Sequence, residues 1–282
     1  METAATHRPP RDAGADGQVG PGLLGPDDPD PVTVIRAEGT SPFLLTCEHA
    51  GRAFPARLGT LGVSDADLDR HIAWDIGAAE VARRMSAILD AHLIMQNYSR
   101  LLVDCNRSPE HGDFIPAVSE WTEVPGNRNL SAEDRDARES RIYRPFHDVV
   151  TAALDRRKEA GRDSVLVAMH SFTPVFKGVA RPWHVGLLFN RDDRLGRLLA
   201  EEIARRDDLC LGINQPYAIS DATDFTIPHH GERRGIPHIE FEVRQDLIAA
   251  ADGQQRWAED LAEWLTRCLS RLPGIRAGKD TA

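Results

Sequence analysis

The stretch Phe43-Leu44-Leu45-Thr46-Cys47 is an apolar run that ends on an acid, an imidazole and a turn-forming glycine, Glu48-His49-Ala50-Gly51. A second apolar run, Val165-Leu166-Val167-Ala168-Met169, ends the same way on His170-Ser171. If both runs are strands of one sheet, two imidazoles meet at one edge, and histidines so placed suggest a divalent metal. An ion held by two imidazoles and a carboxylate keeps a position open for water, acidifies that water and polarises a carbonyl oxygen. A nearby glutamate can take the water's proton and pass it to a leaving nitrogen. An arginine would anchor an anionic substrate. Together these point to metal-assisted amide hydrolysis.

Further clusters supply candidates. Leu101-Leu102-Val103-Asp104-Cys105-Asn106-Arg107 ends on an acid, an amide and a guanidinium, and the guanidinium fork suits a substrate carboxylate unless it is spent on a structural ion pair. His71 and Asp75 fall four residues apart in a helical pattern, which puts them on one face. Ile239-Glu240-Phe241-Glu242-Val243-Arg244 alternates strictly, so Glu240, Glu242 and Arg244 share the face opposite Ile239, Phe241 and Val243. In a buried sheet that charged face needs partners. Of the adjacent His229 and His230, between glycines or prolines, at most one can face a site.

These residues need elements to hold them. The strand expectations are Phe43 to Cys47, His92 to Gln96, Arg100 to Cys105, Ser164 to Met169, His184 to Phe189, Cys210 to Asn214 and His238 to Arg244. The helix expectations are Ser64 to Ala91 with a break near Ala73, Ser131 to Ala160 with a start signal at Ser131, Asp193 to Arg206, and Gly253 to Leu272. The last carries Trp257, Leu261, Trp264, Leu265 and Leu269 on one stripe. Such alternation predicts an α/β fold, a mainly parallel or mixed central sheet with helices on both faces. Sites in such sheets lie at the carboxyl ends of strands, where His49 and His170 fall. The polar, irregular stretch Ser108 to Leu130 is expected to form a lid.

The chain has 282 residues, 41% of them hydrophobic, enough for one catalytic domain, expected over 32–272. A Pro-, Gly- and Asp-rich leader over 1–31 and a tail over 273–282 are expected to be flexible. The formal net charge of −10 and the lack of a basic stripe argue against a nucleic-acid partner. No apolar stretch approaches the roughly 18 residues that span a bilayer, and no secretory core precedes the domain, so a cytoplasmic protein is expected. Cys47, Cys105, Cys210 and Cys268 are widely spaced and read as reduced core residues.

Taken in order, Cys47 to Arg52, His71 to Ala78, Val103 to Arg107, His170-Ser171-Phe172 and Ile239 to Leu247 resemble the N-formylglutamate amidohydrolase family, in the branch of predicted members. That family is similar in fold to zinc carboxypeptidases and aspartoacylases. The resemblance implies one zinc ion per chain with His49 and His170 as ligands, Asn106 and Arg107 on a substrate carboxylate, and Glu242 as general base. Carboxypeptidase-like sites take their acidic ligand three residues after the first histidine, where this chain has Arg52. Asp75, in a recurring block and one helical turn from His71, is the choice for that role, and Glu48 is the alternative. His230 or Arg244 would help hold carboxylates or a developing oxyanion, and Arg181 is another cation for a second carboxylate. The implied substrate is a small N-acyl acidic amino acid, with N-formyl-L-glutamate as the example. A related zinc hydrolase or carboxypeptidase, and a non-catalytic binder of small dianions, remain alternatives.

Overall fold

The computed structural model describes residues 22–273 and 275, so the start of the expected leader and most of the expected tail lie outside the described residues. Eleven strands and six α-helices follow in chain order: β1 Val32–Ile35, β2 Phe43–Cys47, α1 Asp65–Leu68, α2 Ala78–Leu89, β3 His92–Gln96, β4 Val118–Ser119, β5 Thr122–Glu123, α3 Ala132–Arg138, α4 Arg144–Glu159, β6 Val165–Phe172, β7 Val175–Phe176, β8 Val179–Ala180, β9 Val185–Leu188, α5 Arg194–Ile203, β10 Leu211–Ile213, β11 His238–Arg244 and α6 Ala251–Leu269. Seven strands form one mixed sheet in the order β1-β3-β2-β6-β11-β9-β10, while β4-β5 and β7-β8 are separate hairpins. Strands β3, β2, β6 and β11 run parallel to one another. β1 and β9 run antiparallel to their neighbours β3 and β11.

Period-two alternation sorts the buried strand residues onto two faces. Phe43, Leu45, Met95, Val167, Met169, Phe241 and Val243 join one apolar cluster with Val81 and Met85 of α2, Leu195 and Leu199 of α5, and Trp257, Leu261 and Leu265 of α6. Leu44, Ile94, Leu166 and Ala168 point the other way, into a cluster with Phe146, Val150 and Leu154 of α4. Burying each such side chain contributes roughly 1.5–3 kcal/mol before conformational entropy is counted. Glu240, Glu242 and His170 share this second face, because Glu240 stands opposite Ala168 and Glu242 opposite His170. The carboxyl ends of β2, β6 and β11 therefore deliver their polar residues to one edge, on the α4 side.

Several expectations change. Arg100 to Cys105 is not a strand but a series of turns: Leu102 N donates to Ser99 O and Asp104 N to Phe114 O. Its Leu101-Leu102-Val103 are buried beneath the 113–127 segment instead of by sheet pairing. The expected helix from Ser64 is the short α1, capped by the Ser64 hydroxyl, then turns through residue 77, then α2. The break follows from Gly77, whose φ of 82° suits glycine and where a Cβ would come within 2.2 Å of the Ile248 carbonyl. The Ser131 to Ala160 helix is divided by a wide π-type turn at Glu139–Tyr143, and Ser131 caps its start by accepting from Asp134 N at 3.0 Å. Residues 22–31, expected in the flexible leader, lie against the domain: Leu23 is buried, and the Pro29 carbonyl accepts from the Tyr98 hydroxyl at 2.7 Å. All four cysteines are free, but Cys210 is exposed where a core position was expected.

His92, at the start of β3, makes the core sensitive to acid. Burial first, then Arg157, Arg156 and Arg162, lower its imidazole to about 4, and its Nε2 has no hydrogen-bond partner among the described residues. The folded state thus prefers neutral His92, while the unfolded chain protonates it near 6.5. The stabilisation is complete above pH 6.5 and is lost as pH falls to 4, a contribution on the order of 3 kcal/mol. Urea unfolding as a function of pH should show a shallower acid loss for His92→Leu across that window. An unchanged slope would remove His92 from the acid response.

Candidate metal and active site

Three side chains from three segments converge at the sheet edge. His49 follows β2, His170 lies within β6, and Asp75 sits in the turn before α2, where its backbone N–H donates to the His49 carbonyl at 3.0 Å. Gly51 lets the chain turn back after His49, since a Cβ there would fall 2.0 Å from the Asn97 carbonyl oxygen. The Nδ1 atoms of His49 and His170 are 3.2 Å apart. Asp75 Oδ2 lies 2.9 Å from His170 Nδ1 and 3.4 Å from His49 Nδ1. Ligands of a tetrahedral zinc at about 2.0–2.1 Å stand about 3.3 Å from each other, so this triangle of donors fits such an ion. Its three donor atoms lie within 4.8 Å of one another, and all three residues are buried.

Carboxylates behind the imidazoles aim them at the centre. Asp104 Oδ1 is 2.7 Å from His49 Nε2. Burial would raise Asp104, but Arg100 and His49 hold its carboxyl well below the usual range. An ionised Asp104 only accepts, so the shared proton sits on Nε2 and His49 Nδ1 is left to face the centre. Glu48 Oε2 stands 2.9 Å from His170 Nε2 on the far side of that ring. Although burial opposes it, the proximity and charge of His170 bring Glu48 down to about 2. Asp75 is the acid inside the triangle and Glu48 the one behind it. Asp75 is not oriented by His71, which stands 3.7 Å from Glu120 instead. Its carboxylate is held by Ser171 N at 3.2 Å and Arg100 Nη1 at 3.4 Å.

Glu240 and Glu242 complete a group of five buried carboxyl groups, with Glu48, Asp75 and Asp104, gathered around two imidazoles and the Arg100 guanidinium. Burial pushes Glu242 well above the usual carboxylate range, and Asp75 and Glu240 push the same way against His170. Burial foremost raises Glu240 to about 7. A divalent ion in the triangle would add positive charge beside these acids and favour the ionised form of Glu240 and Glu242. The two glutamates differ in their partners. Glu240 Oε2 is 3.4 Å from Asn106 Nδ2, whereas Glu242 Oε2 has no hydrogen-bond partner among the described residues.

The group opens into a cavity of about 510 Å³ lined by His49, Asp75, His170, Glu240, Glu242, Arg100, Arg107, Arg181 and Tyr217 among others. Asp113, Pro116, Val118, Ser119 and Glu120 also line it, as expected for a stretch over the site, but its base is fixed. Asn127 Nδ2 donates to the Leu101 and Pro116 carbonyls, and buried Arg138 reaches the Leu102 carbonyl and Asn127 Oδ1. Arg107 lines the cavity, with one Nη1 shared between the Asn106 carbonyl at 3.1 Å and Asp224 Oδ1 at 3.3 Å. Asn106 spends its amide on structure: Oδ1 accepts from Phe225 N and Thr226 N, and Nδ2 reaches Glu240.

Two expected binding residues fall elsewhere. Arg244 does not line the cavity, because the turn after β11 brings Asp246 against its guanidinium at 2.8 Å. It shares a face with Glu242, but the strand has run past the cavity by that point. His230 is turned inward by a wide helical turn at Ile227–Gly231 and is buried, with its Nε2 3.0 Å from His147 Nδ1. His147 Nε2 in turn meets the Cys105 carbonyl at 2.9 Å. Arg100, Tyr217 and the place of Asp104 behind His49 are not expected from the sequence. The spacing of Arg100 and Asp104, four residues apart around Leu101-Leu102-Val103, is a signal that could have paired them. Tyr217 carries no comparable signal.

The fold is an α/β one, a mixed seven-stranded sheet with helices, and its site is a buried His-Asp-His group that could hold a metal. A model of the N-formylglutamate amidohydrolase family matches residues 41–249, and the chain belongs to that family of amide hydrolases. It is 38% identical to the gene product Atu2144 of Agrobacterium tumefaciens, with a TM-score of 0.86 over 88% of this chain and 98% of that one. An N-formylglutamate amidohydrolase from Ralstonia eutropha JMP134 shares the fold at 18% identity and a TM-score of 0.61, over 86% of this chain and 98% of that one. No curated protein sequence matches the chain significantly.

Proposed function

We propose that the chain is a zinc-dependent amidohydrolase that cleaves the N-acyl bond of an acidic amino acid, N-formyl-L-glutamate being the family's example. The observation that carries this reading is the triangle of His49, Asp75 and His170 donors with a carboxyl oxygen of Glu242, unpartnered among the described residues, lining the same cavity. A zinc ion held by these three residues would polarise the scissile carbonyl and acidify a water. Glu242 takes the attacking water's proton and returns it to the leaving nitrogen. Arg107 binds the α-carboxylate through the part of its fork not given to Asn106 and Asp224. Asn106 acts as a positioning residue for Glu240 and the 225–226 backbone. Among the described residues no helix is long and apolar enough to cross a membrane, and a cytoplasmic location accords with a small-molecule substrate.

The cavity volume favours one second reading. At about 510 Å³ it lies in the range of roughly 300–1,000 Å³ that holds drug-sized ligands, which suits a related hydrolase acting on an acyl group bulkier than formyl. A binding protein without catalysis would have no use for a free carboxyl such as Glu242 beside a metal group. Amine release from a panel of N-formyl, N-acetyl and longer N-acyl derivatives of glutamate, aspartate and glutamine, together with short peptides bearing free carboxyl termini, by the zinc-loaded protein, separates these readings. Turnover of an N-acyl acidic amino acid that a chelator abolishes is the expected result. Activity confined to peptides with free carboxyl termini would move the protein to the carboxypeptidase reading.

A further inference from the structure

Four side chains with a permanent or ammonium charge line the cavity: Arg100, Arg107, Lys177 and Arg181. Arg100 is committed to Asp104 and Asp75, and Arg107 is partly offset by Asp224. Lys177 sits on the tip of the β7-β8 hairpin, with its ammonium over the exposed Trp121 ring at 5.5 Å and over Phe176 at 5.4 Å. Arg181 differs from all three. Its guanidinium carbon lies 4.5 Å from the centre of the Phe176 ring, 5.1 Å from that of Tyr217 and 5.9 Å from that of Phe172. Its backbone is anchored by N–H donation to the Pro174 carbonyl at 2.8 Å. No carboxylate or carbonyl accepts from its guanidinium among the described residues.

Three rings around a guanidinium hold its plane in place without neutralising it. An acid partner would do the first and undo its use as an anion receptor, whereas aromatic faces are weakly attractive and leave the N–H fork open. Phe172 lies two residues beyond His170 on β6, so the cage is built on the strand that carries a proposed metal ligand. Tyr217 is itself partly exposed and lines the same cavity as Arg181 and Glu242.

We propose that Arg181, held by Phe172, Phe176 and Tyr217, binds a second carboxylate of the substrate, the one on the amino-acid side chain, while Arg107 binds the first. Arg181 is then the residue that makes the enzyme select an acidic amino acid. This inference rests on the amidohydrolase reading for its kinetic arm only.

The test compares wild type with Arg181→Met, which keeps an apolar stem against the rings, and with Arg181→Lys. The readout is the ratio of kcat/KM on N-formyl-L-glutamate to that on N-formyl-L-glutamine, which a loss of folded enzyme does not move. Losing a charge-assisted hydrogen bond to the carboxylate should lower that ratio by roughly 10- to 100-fold in Arg181→Met. Arg181→Lys should recover part of it, since an ammonium keeps the charge without the fork. A second arm measures binding of L-glutamate and L-glutamine to the zinc-loaded protein by calorimetry. Wild type should bind glutamate more tightly, and Arg181→Met should lose the difference. A ratio and an affinity difference unchanged in Arg181→Met would overturn the proposal. If wild type hydrolyses neither amide, the amidohydrolase reading falls and the calorimetric difference alone decides the role of Arg181.

Discussion

Replacing Glu242 by Gln should lower kcat by about 100-fold or more while leaving metal content and folding intact, the scale expected when a general acid/base is removed. Strand register puts Glu242 opposite His170, and its Oε2 is buried without a hydrogen-bond partner among the described residues, so the carboxyl group is not spent on structure. Gln keeps the shape and loses the proton acceptor. Glu240→Gln is the informative companion, because Glu240 is tied to Asn106 and stands 3.9 Å from His170 Nε2. Its loss should cost less turnover than loss of Glu242. Pre-steady-state and steady-state rates on the best N-acyl substrate check this, and a Glu242→Gln enzyme with near-normal turnover would take Glu242 out of the mechanism.

How far the sequence carried depends on how local each signal is. The alternation of Ile239 to Arg244 is strictly local, and β11 has the predicted residues with Glu240 and Glu242 on the predicted face. The same rule over-reached at Arg244, because a shared face says nothing about where along the strand a cavity ends. Leu101-Leu102-Val103 reads as a strand since burial is all that hydropathy reports, and a turn segment packed under Asn127 and Arg138 is buried as well. The His71 to Asp75 spacing predicts a helix, but Gly77 and the contact of Asp75 N with the His49 carbonyl favour turns. Strand alternation does not govern Glu48, which lies past the end of β2 in a turn and stands beside His170. Pairings between distant segments, such as Asp104 with His49 or Arg181 with Tyr217, leave no mark in spacing at all.

His49→Ala and His170→Ala should each strip the protein of its metal, and Asp75→Asn should weaken retention far more than Glu48→Gln does. His49, His170 and Asp75 give donor atoms to the triangle, whereas Glu48 orients His170 from behind, a role whose loss typically costs roughly 10- to 100-fold in metal affinity. Unfolding curves on the same variants separate loss of a ligand from loss of the fold. Retention of metal by Asp75→Asn with loss in Glu48→Gln would exchange the two assignments.

Metal and activity should go together in elemental analysis of the purified, dialysed wild type run beside N-acyl-glutamate hydrolysis on the same sample. The expected result is about one zinc per chain, and activity that falls with the metal under chelation and returns when zinc is restored. Full hydrolysis by protein without any divalent metal, or stoichiometric metal retained by both His49→Ala and His170→Ala, would contradict it.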